Sequence, residues 1–93
     1  FLLIVLLPTA FTPNSDGIND EFYISNSFIL ESVSRFEIYD RWGLKLFETS
    51  DKNERWNGTY NGSSMPPGTY VYKIEYTCLG NSFRNTGSFN ILR

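Results

Sequence analysis

Histidine is absent from this 93-residue chain, and cysteine occurs once, at position 78. Without histidine the chain lacks the commonest general base at neutral pH and the commonest zinc ligand. A lone thiol forms neither an internal disulfide nor a cysteine-rich zinc site, so Cys78 reads as a small apolar residue in a strand and leaves the compartment open. Long hydrophobic runs are missing too. Residues 1–7, FLLIVLL, stop at Pro8, whereas a membrane helix needs about 20 apolar residues. No basic residue precedes that run and no small-residue cleavage site follows it, which argues against a signal-peptide core. It reads as a first strand buried on both faces, or as the end of a preceding segment. The chain opens on Phe1 rather than methionine, as expected of a fragment or a processed product. Its eight Lys and Arg are scattered among ten acids for a net charge of −2. That gives neither the basic face nucleic acid requires nor a polybasic membrane patch. Nucleophilic catalysis also lacks its signs: there is no G-x-S-x-G, and nothing singles out a glycosidase-like pair among the acids. No enzymatic activity is expected.

Aromatic residues are abundant instead. Eight Phe, six Tyr and two Trp make up 17% of the chain. Such side chains cover a pleated surface well and favour strands. Gly, Pro, Asn, Asp and Ser cluster at 8–20, 25–27, 40–43, 50–53, 57–68 and 79–82, marking turns between short segments. Alternation is clearest over residues 70–76, with Tyr70, Tyr72, Ile74 and Tyr76 on one face and Val71, Lys73 and Glu75 on the other. In residues 35–40, Phe36 and Ile38 share a face opposite Arg35, Glu37 and Tyr39. Residues 44–48 put Leu44 and Leu46 inward, residues 21–24 make a brief strand, and residues 83–92 place Gly87, Phe89 and Ile91 together. Helical periodicity is nowhere sustained, with at most one weak turn over residues 28–33. The pattern predicts a single all-β domain spanning residues 1–93, an immunoglobulin-like β-sandwich of about seven antiparallel strands.

Three groups of residues are candidates for function. Residues 12–20, TPNSDGIND, resemble the first part of a calcium loop, in which a hard cation is held by oxygens at alternate positions around a turn glycine. Asn14 and Asp16 supply side-chain oxygens, Ile18 its carbonyl and Asp20 a further ligand, although Thr12 stands where an acid usually leads and no Glu closes the loop. The same residues equally make an Asx turn with Gly17 at positive φ. Arg41 and Trp42 form either an exposed anchor for a partner or a hairpin turn at Gly43, with Trp42 folded over the sheet and Arg41 paired to Asp40 or Glu37. Trp56-Asn57-Gly58 reads as a turn with an aromatic cap. Trp42, Trp56, Tyr60, Tyr70, Tyr72 and Tyr76 suit a sugar-stacking platform, but Tyr70, Tyr72 and Tyr76 share a face with Ile74, as core packing produces, and core is the better reading for most of the six.

Six segments, AFTPNSDGIND (10–20), FEIYDRWG (36–43), LFET (46–49), WNGTYNG (56–62), PPGTYVYKI (66–74) and GSFNILR (87–93), together resemble the gliding motility-associated C-terminal domain. This is the type B C-terminal domain of cargo for the type IX secretion system of Bacteroidota. The resemblance runs in order and spacing from about residue 8 to residue 93, with Ser15, Asp40 and Asn57 as departures. It implies a non-catalytic sorting domain that takes an adhesin-like passenger through the outer-membrane translocon and helps retain it at the cell surface. It also implies transit through the periplasm. The implied partners are outer-membrane components of the secretion system, the translocon and associated barrel proteins, together with the N-terminal passenger. On this reading Phe89, Ile91, Leu92 and Arg93 join Arg41 and Trp42 as docking residues, with strand addition as the mode. The alternative is an immunoglobulin-like adhesive or carbohydrate-binding module, stabilised by calcium if the loop binds it.

Overall fold

The computed structural model describes residues 7, 10–13, 21–24 and 30–92. The expected first strand over residues 1–7, apart from Leu7, and the calcium candidates Asn14, Asp16, Ile18 and Asp20 lie outside the described residues, as does Arg93. Among the described residues there is no helix. Those residues form seven strands in two sheets: β1 (Ala10–Phe11), β2 (Ser32–Tyr39), β3 (Lys45–Thr49), β4 (Thr59–Tyr60), β5 (Ser63–Ser64), β6 (Gly68–Cys78) and β7 (Asn81–Ile91). The larger sheet has the order β1-β7-β6-β2-β3, and β4 and β5 make a separate hairpin. The expected all-β fold is present. The expectation of antiparallel strands throughout fails at one edge, where β1 runs parallel to β7. A parallel pair needs a long crossover, and here the whole domain between the two strands supplies it.

β6 and β7 pair from Gly68↔Ile91 to Cys78↔Asn81 and form the backbone of the sheet. The alternation of β6 holds: Tyr70, Ile74 and Tyr76 are buried while Lys73 is exposed. β2 begins earlier than its alternation suggests, because a bulge between Val33 and Arg35 adds a residue. Val33 and Phe36, three apart, thereby both reach the core. A second irregularity, between Ile38 and Tyr39, sets Leu46 and Phe47 together opposite Ile38, and both pack on the core. This corrects the inward placement of Leu44, which lies before the strand and is 48% exposed.

One face of the large sheet is covered by a thin second layer. Phe22 and Trp56 exchange backbone hydrogen bonds of 2.7 and 3.0 Å. The Phe22 ring stacks on Phe89 with centroids 3.8 Å apart, and Trp56 meets Phe89 and Tyr70 edge-on at 6.1 and 6.0 Å. The Trp56 indole N–H donates to the Thr59 carbonyl (2.9 Å), so its one polar atom is satisfied inside the core. Gly87 admits the Tyr72 ring: a Cβ there would lie 2.5 Å from the Tyr72 hydroxyl oxygen.

The candidate interaction surface

The turn joining β2 to β3 is built around Asp40. Its backbone N–H donates to the Leu44 carbonyl (3.0 Å), and its own carbonyl accepts from Gly43 N–H (3.1 Å). Its carboxylate accepts two further hydrogen bonds, each 2.9 Å, from the backbone N–H groups of Trp42 and Leu44. Gly43 sits at φ +92°, a conformation costly for other residues. A turn held this way loses little entropy when something binds it. At its tip Trp42 is 81% exposed. Trp42 therefore does not fold over the sheet; its contact is the Arg41 guanidinium, 4.9 Å from the ring centroid. Nor is Arg41 ion-paired to Asp40 or Glu37 among the described residues. It reaches instead across the start of β6, where a Cβ on Gly68 would approach it to 3.0 Å.

Register brings the end of the chain to this same pole, since Gly68 pairs with Ile91. Leu92 is 51% exposed there, and its N–H donates to the Phe11 carbonyl at 2.9 Å. Phe89 and Ile91, expected to dock, are buried side chains of the core. The inward phase of β7 that places Gly87 against Tyr72 also points them inward. Nor is the end of β7 open to strand addition at Asn90–Ile91, where β1 lies on one side and β6 on the other. Of the sequence candidates, Arg41, Trp42 and Leu92 thus lie exposed at the same end of the sheet.

The opposite face of the sheet is polar. Glu37, expected to point outward, does so, yet it is only 4% exposed. Tyr39 Oη donates to it (2.8 Å), Lys45 Nζ lies 3.1 Å away and Arg35 Nε 3.8 Å. Burial pushes the Glu37 carboxyl up, but the Tyr39 hydrogen bond and the Lys45 and Arg35 charges outweigh it, leaving the group below its ordinary value of 4.5. The same hydrogen bond raises Tyr39, and the Glu48 and Glu37 carboxylates raise Lys45. A depression of about 420 Å³ lies over this network, lined by Arg35, Glu37, Tyr39, Lys73, Glu75, Arg84 and Thr86. Four of its lining side chains are cationic or phenolic groups set around the Glu37 and Glu75 carboxylates.

The aromatic platform resolves into core. Trp56, Tyr70 and Tyr76 are buried, while Tyr60 and Tyr72 pack against them, which leaves Trp42. Trp56-Asn57-Gly58 is a turn with an aromatic cap, as the sequence suggests, with the Asn57 amide oxygen accepting from Thr59 N–H at 3.2 Å. Cys78 is buried in the last position of β6. Among the described residues no group of three or more acids or thiols is placed to hold a metal.

Fold and surface together define a small, aromatic-cored β-domain that presents turns outward. Residues 5–91 match the family model of the CHU_C type IX secretion signal domain, and the chain belongs to that family. The family is one of secretion signals rather than of catalysts, and membership implies interaction with the type IX system and export toward the cell surface. No curated protein and no solved structure matches the chain.

Proposed function

We propose that this domain is the C-terminal sorting signal of a larger adhesin-like protein, which it carries through the type IX outer-membrane translocon and helps hold at the cell surface. The observation that carries this reading is the family match along residues 5–91. Arg41, Trp42 and Leu92 are the side chains proposed to engage translocon components or their associated barrel proteins, with Arg93 adding charge. Trp and Arg are the residues most enriched at binding hot spots, and this pair is exposed on a rigid turn.

The test is a fusion of the domain to the C-terminus of a fluorescent passenger bearing a signal peptide, expressed in a type IX-competent cell. Surface arrival of the wild-type fusion is expected, with periplasmic retention of Trp42→Ala. Deleting residues 87–93 would be uninformative, since it takes Phe89 and Ile91 out of the core. Trp42→Ala removes an exposed side chain and leaves stability within about 0.5 kcal/mol. Retention of the wild-type fusion in a competent cell would overturn the sorting role. Calcium binding by Asn14, Asp16, the Ile18 carbonyl and Asp20 is a further proposal. It predicts a rise in Tm with millimolar calcium that EDTA reverses and Asp16→Ala abolishes.

A further inference from the structure

Asparagine stands directly before glycine twice in the chain, at Asn57-Gly58 and at Asn61-Gly62. At such a step the asparagine side chain is most open to attack by the backbone. Glycine leaves the next amide nitrogen unshielded and the chain free to bend into a ring. The fold places the two copies in opposite circumstances.

The Asn57 carboxamide is held. Its Oδ1 accepts from Thr59 N–H at 3.2 Å and from the Thr59 hydroxyl at 2.7 Å. Gly58 is buried, and its carbonyl accepts from Met65 N–H at 2.8 Å. A Cβ on Gly58 would meet Pro13 Cγ at 3.2 Å and Phe11 Cζ at 3.4 Å. Asn61 is the reverse case. It opens the two-residue loop between β4 and β5, and residues 61–64 are all exposed. Its side chain makes no hydrogen bond among the described residues. A Cβ on Gly62 would meet nothing within 4 Å. Asn61 and Gly62 have φ of 52° and 80°, the signs of a type I′ turn. Two residue pairs, Thr59↔Ser64 and Tyr60↔Ser63, close the hairpin. Strands so short open at little cost.

We propose that Asn61 is a site of spontaneous modification, at which the Gly62 backbone nitrogen displaces the side-chain amide. In the first step the Gly62 nitrogen bonds to Asn61 Cγ, the Cγ–Nδ2 bond breaks, and the Gly62 amide proton leaves with Nδ2 as ammonia. A five-membered succinimide results. Water then opens the ring. Addition at Cγ restores the ordinary backbone with an aspartate side chain, while addition at the main-chain carbonyl routes the backbone through Cβ and Cγ. Either product adds a negative charge to a chain already at −2. Aspartate still suits the turn, since Asp-Gly is also a favoured type I′ pair. The rerouted backbone is one methylene longer and no longer fits the loop. Tyr60 packs on the core and the Thr59 carbonyl takes the Trp56 indole N–H, so loss of this hairpin reaches the centre of the domain. The reaction needs no partner and stands apart from the sorting role proposed above.

The experiment ages the folded chain at neutral and mildly alkaline pH in water enriched in heavy oxygen. Ammonia release, peptide mapping by mass spectrometry and Tm are followed together. Heavy oxygen is expected to enter at Asn61 at least tenfold faster than at Asn57, and faster at the higher pH, where more of the Gly62 amide is deprotonated. In denaturant the two sites should react at similar rates, because each follows an aromatic residue and precedes glycine. Tm of the aged wild type should fall by a few degrees. Asn61→Asp, which has no amide to lose at that position, should keep the Tm of fresh protein. Labelling of Asn57 as fast as Asn61 in the folded chain overturns the assignment. So does a folded chain that stays unlabelled while the denatured one reacts, since the turn would then shield Asn61.

Discussion

Glu37 shows what a single buried charge does in this domain. Its folded pKa is depressed, so its contribution to stability is complete above the unfolded value of about 4.5 and is lost as pH falls through the folded value. Tyr39 and Lys45 are raised, so their contributions are complete below about 10 and are lost as pH climbs through their folded values. Glu37→Gln should cost about 1–2 kcal/mol at pH 7, since the half-exposed Arg35 and Lys45 regain solvent when their partner goes. Thermal melts should show the gap between variant and wild type closing below pH 4.5; a pH-independent gap would mean that the loss is one of packing. Gly87→Val should also destabilise, by about 1–3 kcal/mol, because the Tyr72 ring occupies the space its side chain needs. Pairing it with Tyr72→Ala should recover part of the loss. Alternation correctly turns Glu37 outward, yet the three groups that enclose it come from neighbouring positions on two strands. Only the register of β2 on β3 brings Lys45 to it.

At the scale of elements, Phe22 and Trp56 pair as an isolated antiparallel bridge outside the strands assigned among the described residues. Their amides donate reciprocally and their rings enclose Phe89, so both amides should exchange with solvent as slowly as those of central β6. Exchange at loop rates would show that the thin layer opens independently of the sheet. Phe89→Ala should cost about 3–5 kcal/mol, a large share of the stability of a domain this size. β6 was legible in the sequence because its seven central residues alternate without interruption. β2 was legible only from Arg35 onward, since the bulge after Val33 breaks the period of two and imitates helical spacing. Leu44 misled for a related reason: it keeps phase with Leu46, but the turn anchored on Asp40 holds it out of the strand. Trp42 is plain in the sequence as a turn residue. Its exposure depends on what the rest of the molecule leaves uncovered, which no local pattern records.

For the whole molecule, the decisive contact is the one between its most distant parts. Ala10 pairs with Asn90 and Phe11 with Ile91, and the Phe11 ring lies 6.0 Å from Phe89. A product ending at Ser88 should therefore show no cooperative thermal transition, whereas Leu92→Ser should melt like wild type; near-UV circular dichroism would follow both. The sheet cannot close until the last strand has been made, because that strand lies between β1 and β6 in the sheet order. If the sorting role proposed above holds, an export address written in such a fold is legible only as a finished shape, and a chain cut within β7 carries the letters of the address without the form in which it is read.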